Sequence, residues 1–420
     1  MALWLSALLL FHAAAVCSLQ AAPMAPAQAA ASYTVVVFGG TPGGISAAVA
    51  ASRALGVPNA TAATPARVVL IEPSKWIGGM ASGGLGCTDR VGEKSYGGLA
   101  REFVNRTNAR YLPAGGGPRP RLAHCLTHAA FEPHIATEVF HEMLAEANVD
   151  VVISSRLVRV HRVGTQLTSL ELSSGSTVEG RVMIDGSYEG DLLALAGVDF
   201  TIGREGQSQY NESLAGRRPL VPGSCYGFDA DVDPYANDHR ANVKRDEKAP
   251  GKELLPLVWG GKLAAEGEGD TKVMSYNYRL CLTNATRPSG LRVELTQPAD
   301  YNPETFELLR RYMRLKPPES LTPTVLKIYT IACAGDGVKT DVNSAAFPIS
   351  TNLVGGSWGY PNGTAEERAA IIARHKSYTK GLLWFLKTDS SVPPHLRREM
   401  AQWGWCGDEF KDNDHFPTQL

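Results

Sequence analysis

TVVVFGGTPGGISAAVAASRAL (Thr34–Leu55) and, after a break, RVVLIEPSKWIGGMASGGLG (Arg67–Gly86) are the stretches whose reading decides the fold. The first holds a short β-branched run, Val35–Val37 closed by Phe38, then a glycine-rich turn and a segment of small residues. The second holds another apolar run, Val68–Ile71, an acid at its end, Glu72, and a second glycine-rich loop. Strand, tight turn, helix and parallel strand with an acid at its tip form a dinucleotide-binding βαβ unit. Gly39 and Gly40 permit backbone angles at the turn that a side chain forbids. The helix after them aims its unbonded N–H groups and its dipole at the turn, which favours a pyrophosphate there. Gly44, followed by Ala47, Ala48 and Ala50, lets that helix lie close to the strand. Glu72 can accept hydrogen bonds from two ribose hydroxyls and would repel a 2′-phosphate, which argues against an NADP-type ligand.

The spacing departs from the strict form. On a G-x-G-x-x-G template the positions read Gly39, Thr41 and Gly44, so a threonine stands in the middle. Glu72 also lies beyond the usual separation of about 20 residues. The surplus is the loop Gly56–Arg67, rich in Pro, Ala and Thr and carrying a glycosylation sequon at Asn59, as befits a surface insertion. From spacing alone, an ordinary α/β packing unit without a ligand stays open.

The chain has 420 residues, 44% of them hydrophobic, enough for a sizeable core and more than one domain. Lys and Arg number 41 against 42 Asp and Glu, so no basic field recruits nucleic acid. Residues Met1–Ala31 differ in kind. LWLSALLLF is an apolar core of signal-peptide length, shorter than the roughly 20 residues a bilayer demands. Small-x-small cleavage sites follow, the last near Ala29–Ala31, although the start lacks a Lys or Arg. A secreted or lumenal protein with no stable membrane insertion after cleavage is expected. Beyond Cys17 the cysteines are Cys87, Cys125, Cys225, Cys281, Cys333 and Cys406; their wide spacing permits disulfides but specifies no pairing. Further sequons stand at Asn105, Asn211, Asn284 and Asn362 and fit the secretory route. His124 and His128 flank Cys125, but with no carboxylate or cysteine partners they do not make a metal site, and none is expected.

VVVFGGTPGGISAA together with VLIEPSKWIGGMASGGLGCTD resembles the FAD-dependent oxidoreductases with a glutathione-reductase-type FAD-binding fold, in particular a branch with a GGTP turn and a GGM-x-SGGLG loop. Thr41 is usual in that branch. The resemblance implies FAD, with Gly39, Gly40, Thr41, Pro42, Gly43 and Gly44 at the pyrophosphate and Glu72 at the adenosine ribose. It places Gly78, Gly79 and Met80 along the ribityl chain, a backbone group near Val158 at the adenine, and Gly186 beside the cofactor. The blocks Glu189–Gly190–Asp191 and Gly203–Arg204–Glu205 belong to the same signature.

The remaining chain divides as residues 1–31 signal peptide, 32–215 FAD-binding domain, 216–323 substrate domain, and 324–420 an active-site loop and helical region. Helices are expected over Gly97–Tyr111, with Leu99, Phe103 and Val104 apolar, and over FEPHIATEVFHEMLAEANV, with Ile135, Val139, Met143 and Leu144 on one face. His134 and His141 there read as surface or capping groups. Alternating short runs from Asp150 predict a β-meander returning to a buried strand, Arg181–Ile184. The segment Gly267–Thr283 again resembles the branch, which implies a strand approaching the flavin, and Gly337–Ser350 reads as a polar loop whose similarity to a KTD-x-N loop of the branch implies a place over the site. Tyr276, Arg279, Lys339 and Asp341 are the candidates on the substrate side, a fixed cation there being suited to negative charge that builds up as hydride arrives. Phe306, Leu309 and Tyr312 form one core stripe. Leu382, Leu383, Phe385 and Leu386 form another, on the first of two helices joined at Asp389–Pro394. The resemblance runs to Leu420, yet in the family further chain returns to the FAD domain, so that portion is expected to be missing here.

The expected fold is α/β: a Rossmann-like FAD-binding domain with a β-meander, plus a mixed α+β substrate domain. The expected function is hydride transfer from a small polar substrate to flavin. Two alternatives are a non-catalytic or truncated product that binds nucleotide weakly or not at all, and a glycan-binding module; the latter would leave Glu72 and the turn without a role. No stretch signals an oligomeric state.

Overall fold

The computed structural model describes residues 31–56, 67–89, 96–112, 130–219, 227–236, 253–284, 291–331, 338–345 and 347–420. The leader except Ala31, the Asn59 sequon, most of the Gly56–Arg67 loop, the His124–Cys125–His128 group, Cys17, Cys225 and Cys333 lie outside them. Among the described residues no helix is long and apolar enough to cross a membrane.

The N-terminal half is built on one six-stranded sheet. Its strands are β1 (Ala31–Phe38), β2 (Val68–Ile71), β3 (Val149–Val152), β4 (Leu157–Val163), β5 (Gln166–Leu172) and β6 (Thr177–Asp185), in the order β3-β2-β1-β6-β5-β4. β3, β2, β1 and β6 run parallel, with Val35 beside both Val68 and Val182, whereas β4 and β5 return antiparallel as the expected meander. The period of two along β1 sorts its side chains. Val35 and Val37 join a cluster with helices α1 (Pro42–Ala54) and, between β2 and β3, α4 (Pro133–Glu146); Val36 and Phe38 join Leu170 and Leu172 of the meander on the other face. The two short intervening helices are α2 (Gly79–Gly83) and α3 (Gly98–Ala109).

Two expectations here change. On α4 the buried face is Ala136, Val139, Phe140, Met143 and Leu144, while Ile135 is only half-buried. The strand expected to be buried at Arg181–Ile184 is not: Arg181 is exposed and Val182 is 50% exposed. The reason is the seat of α1, which shares its apolar cluster with β1 and β2 and leaves Val182 uncovered on that face.

The second half gathers around a separate apolar cluster running from Leu255 to Leu420. Two short helices, α5 (Asp191–Leu195) and α6 (Gln207–Tyr210), lead into it. A 3-10 turn (Pro303–Phe306) and α7 (Glu307–Leu315) bury Phe306, Leu309 and Tyr312 as the periodicity predicts. The long α8 (Ala365–Thr388) starts at a capping box, Thr364 with Glu367, and buries Leu382, Leu383, Phe385 and Leu386; α9 (Pro394–Ala401) packs beside it. A two-stranded ladder joins β9 (Leu326–Thr330) to β10 (Thr340–Ser344). A three-stranded one has the order β7 (Leu282–Asn284), β11 (Trp403–Cys406), β8 (Arg292–Val293). The expected polar loop at Gly337–Ser350 is instead, in its described part, a strand over Thr340–Ser344, with Lys339, Thr340 and Asp341 fully buried because β9 and the ionic partners described below enclose them; its end, residues 347–350, is a series of bends. The expected strand over Gly267–Thr283 is regular only at its end. Glycines 267 and 269 sit against the Arg204–Gly206 turn, Asp270 forms an isolated antiparallel bridge with Arg204, and among the described residues no further strand pairing occurs until Leu280 bridges Val342.

Candidate active site

Three glycines interlock where β1, α1 and β6 meet. Gly39 has φ +101°, open to glycine and strained for any other residue, and a Cβ there would stand 2.4 Å from the Ser187 backbone nitrogen. A Cβ on Gly44 would stand 1.9 Å from the Gly39 carbonyl oxygen, and one on Gly186 would stand 2.6 Å from the Gly44 Cα. Thr41 locks this arrangement. Its hydroxyl donates to the Gly186 carbonyl at 2.6 Å and accepts the Gly44 N–H at 3.1 Å, so it is also the N-cap of α1. Pro42 at the first helical position has no N–H to satisfy, and Gly43 is exposed at the tip. The middle threonine is thus a structural cap, and the close approach that the template assigns to glycine is made by Gly44 and Gly186.

Glu72 directly follows β2 beside that turn. One carboxylate oxygen accepts the Gly40 N–H at 2.7 Å and the other the Ser74 N–H at 2.8 Å. A carboxylate offers about four lone-pair sites, so two remain for ribose hydroxyls. The second glycine loop is tied in as well. The Gly78 N–H donates to the Gly40 carbonyl at 2.6 Å, and the Met80 N–H donates to the Tyr188 hydroxyl at 2.9 Å. A cavity of about 1090 Å³ opens along this line. Gly39, Thr41, Glu72, Gly79 and Val158 line it, while Gly40, Pro42, Gly43, Gly44, Gly78, Met80 and Gly186 shape the turns at its edge. These features fit an FAD: a glycine cradle under a helix N-terminus, an acid with spare lone pairs, and a channel leading onward.

The far end of the cavity is aromatic. Tyr276 lines it, half-buried, with its ring edge-on to Tyr360 at 5.5 Å. Arg368 of α8 reaches across to Asp191 of α5 at 2.8 Å and also donates to the Tyr360 carbonyl at 2.9 Å, bracing the two halves. Burial pushes the Glu189 carboxyl above its ordinary range, with the nearby Arg368 opposing and Asp191 adding to the rise. Burial, reinforced by Glu189, takes the Tyr360 hydroxyl up to about 12. Glu189 and Asp191 were legible as a signature block. Tyr360 and Arg368 were missed, since an arginine in the first turns of a charged helix reads as a solvated one.

The other substrate-side candidates lie elsewhere. Asp341 is fully buried and accepts from Arg279 Nε at 2.8 Å, Arg279 Nη2 at 2.6 Å, the Gly86 N–H at 2.8 Å and the Cys87 N–H at 2.9 Å. The pair thereby fastens the end of the GGM-x-SGGLG loop to β10. Lys339, also buried, donates to Glu132 and Glu409 at 2.6 Å each and to Asp408 at 3.0 Å. Glu132, His134 and Glu409 have the donor set of a metal site, but the Lys339 ammonium already supplies the positive charge. The sequence signal for this cluster was the acid pair Asp408–Glu409 set among apolar and aromatic residues.

His134 completes the cluster, its ring 2.6 Å from Glu409. Burial draws its pKa down, but the hydrogen bond and charge of Glu409 outweigh that and leave it raised. A raised folded-state value gives stability that is whole below the ordinary imidazole pKa of about 6.5 and is lost as pH rises through the folded value. Glu409 is held low: burial alone would raise it, and His134 and Lys339 together more than offset this. Its contribution is present above the ordinary carboxylate range and is lost as pH falls. Wild-type protein should therefore show an unfolding midpoint that declines between pH 6 and 8 more than that of His134→Gln. Parallel curves for the two in differential scanning fluorimetry would refute the assignment.

Comparison with known proteins accords with this geometry. The sequence model of the family described as FAD dependent oxidoreductase matches residues 34–420. The chain belongs to that family. The family is FAD-dependent, and the parallel-rich sheet described above is consistent with its Rossmann-like fold. Similar solved structures include L-proline dehydrogenase from P. horikoshii (12% identity, 42% of this chain and 59% of that chain, TM-score 0.29). Others are a flavin-containing monooxygenase from Stenotrophomonas maltophilia (18%, 37% and 38%, 0.24) and L-amino acid deaminase from Proteus vulgaris (12%, 42% and 54%, 0.28). The chain thus spans at most about three-fifths of the length of these chains. No curated protein matches its sequence.

Proposed function

We propose that this chain binds FAD along the glycine cradle and removes a hydride from a small polar substrate held at the aromatic end of the cavity, in a secreted or lumenal setting. The observation that carries the reading is the interlock of Gly39, Gly44 and Gly186 next to Glu72, opening onto a cavity that continues to Tyr276. The flavin, when bound, supplies the hydride acceptor. The protein supplies the rest. The N-terminus of α1 faces the pyrophosphate, Glu72 orients the ribose, and the Gly78–Met80 loop, fastened through Gly86 and Cys87 to Asp341, fixes the position of the chain beyond. Tyr276 and Tyr360 give the substrate flat, partly dry walls. Glu189, with its raised pKa, is the carboxyl placed to take up a proton from a substrate hydroxyl or amine as the hydride leaves. The secretory setting rests on the apolar leader and the sequons.

Titrating the purified protein with FAD and following flavin fluorescence tests the reading. Glu72→Lys should weaken binding by at least about 100-fold, about 2.8 kcal/mol, since it repels nothing in the ribose yet removes both its acceptors. Glu72→Gln should weaken it less, because one amide oxygen still accepts. Equal affinity in all three proteins would move the adenosine site elsewhere.

A further inference from the structure

We propose that Cys281 and Cys406 are joined by a disulfide in the folded protein. Cys281 immediately precedes β7 and Cys406 ends β11. The antiparallel register Gly404↔Thr283, Trp405↔Leu282 places Cys406 opposite Cys281 at its next step. The Cys406 N–H donates to the Cys281 carbonyl at 3.2 Å, so the two backbones are locked side by side. Residues opposite each other on such a ladder have Cα atoms about 4.5–5.5 Å apart, inside the range of roughly 4.4–6.8 Å that a disulfide spans. The sulfur atoms are 2.6 Å apart. Unbonded heavy atoms rest at about 3.5–4.0 Å, so these thiols stand well inside a contact. Both side chains are buried, at 1% and 0% exposure, and the bond therefore forms while the chain folds and is shielded afterwards.

The step balances simply. Each thiol loses its proton, the two sulfurs bond, and the two electrons reduce a disulfide carrier, of low molecular weight or protein, to two thiols. The secretory reading bears only on where that carrier is met; the geometry does not depend on it. The bond has a place in the architecture. Cys281 follows Tyr276 and Arg279, and Cys406 precedes Asp408 and Glu409, so the link spans 125 positions and holds a wall of the cavity to the segment that feeds the Lys339 cluster.

The test is a peptide map of the full chain folded in a mixture of oxidised and reduced glutathione, denatured without reductant in the presence of an alkylating agent, and digested. A linked peptide joining Cys281 to Cys406, lost on reduction, is the expected result. Reductant should also lower the unfolding midpoint by about 2–5 °C, and this sensitivity should be absent from C281A/C406A. Alkyl groups on both cysteines, or either one linked to Cys87, Cys125, Cys225 or Cys333, would overturn the proposal. Flavin binding enters none of these readouts, so the result stands apart from the cofactor reading.

Discussion

Gly44→Val yields a protein that emerges colourless from desalting after incubation with FAD, whereas the wild type keeps absorbance near 450 nm. The argument is steric. A Cβ at position 44 would lie 1.9 Å from the Gly39 carbonyl oxygen and 3.6 Å from the Gly186 Cα, all of it backbone and none able to swing aside. Either α1 retreats from β1 or the Gly39 turn unwinds, and both remove N–H groups from the place where a pyrophosphate would meet them. Overpacking of this kind costs roughly 1–3 kcal/mol in stability, so the chain should still fold and the loss should show as an affinity change of at least about 100-fold, about 2.8 kcal/mol. Gly43→Ala is the control. A Cβ there meets only the Thr41 hydroxyl, at an ordinary 3.6 Å, and flavin should be retained. If Gly44→Val held flavin as well as the control does, the cradle would not be the pyrophosphate site.

Lys339→Met gives the second large effect, this time on stability. The side chain is fully buried and its ammonium meets carboxylates at 2.6, 2.6 and 3.0 Å. Methionine fills the space but leaves Glu132, Glu409 and Asp408 facing one another. Removing one partner from a buried ionic group costs about 3–5 kcal/mol, which for a chain of this size lowers the unfolding midpoint by roughly 3–6 °C. The deficit should shrink at pH 5, because without the ammonium the crowded carboxylates take up protons more readily. A thermal scan at pH 7.5 and at pH 5 reads both numbers, and a midpoint within 2 °C of wild type at pH 7.5 would mean that the buried cluster contributes little to stability.

What the sequence made legible was local and periodic. The β-branched runs at Val35 and Val68, the glycine turn, the stripe Phe306–Leu309–Tyr312 and the apolar face of α8 each follow from residues a few positions apart. The geometry of the glycine cradle was readable for the same reason, since Gly39, Gly44 and Glu72 belong to one βαβ unit. The substrate side was not. Lys339 and Asp341 look like a polar loop because their partners, Glu132, Glu409, Arg279 and the Gly86 and Cys87 amides, come from segments 60 or more positions away. A buried charge and a solvated charge are the same letter in a sequence, and only the long-range pairing separates them. Arg368 escaped notice likewise, its partner Asp191 being 177 positions distant.

The bonds that Asp341 accepts from Gly86 and Cys87 make the glycine loop and β10 a single mechanical unit, although β10 lies outside the cavity. Binding at the loop and order in the hairpin are then coupled, and the coupling free energy is the same read from either side. Occupancy of the cofactor site would suppress openings of the β9–β10 hairpin, and a loosened hairpin would weaken cofactor binding by the same factor. Variation far along the chain, in residues that never meet the ligand, thus has a route to its affinity.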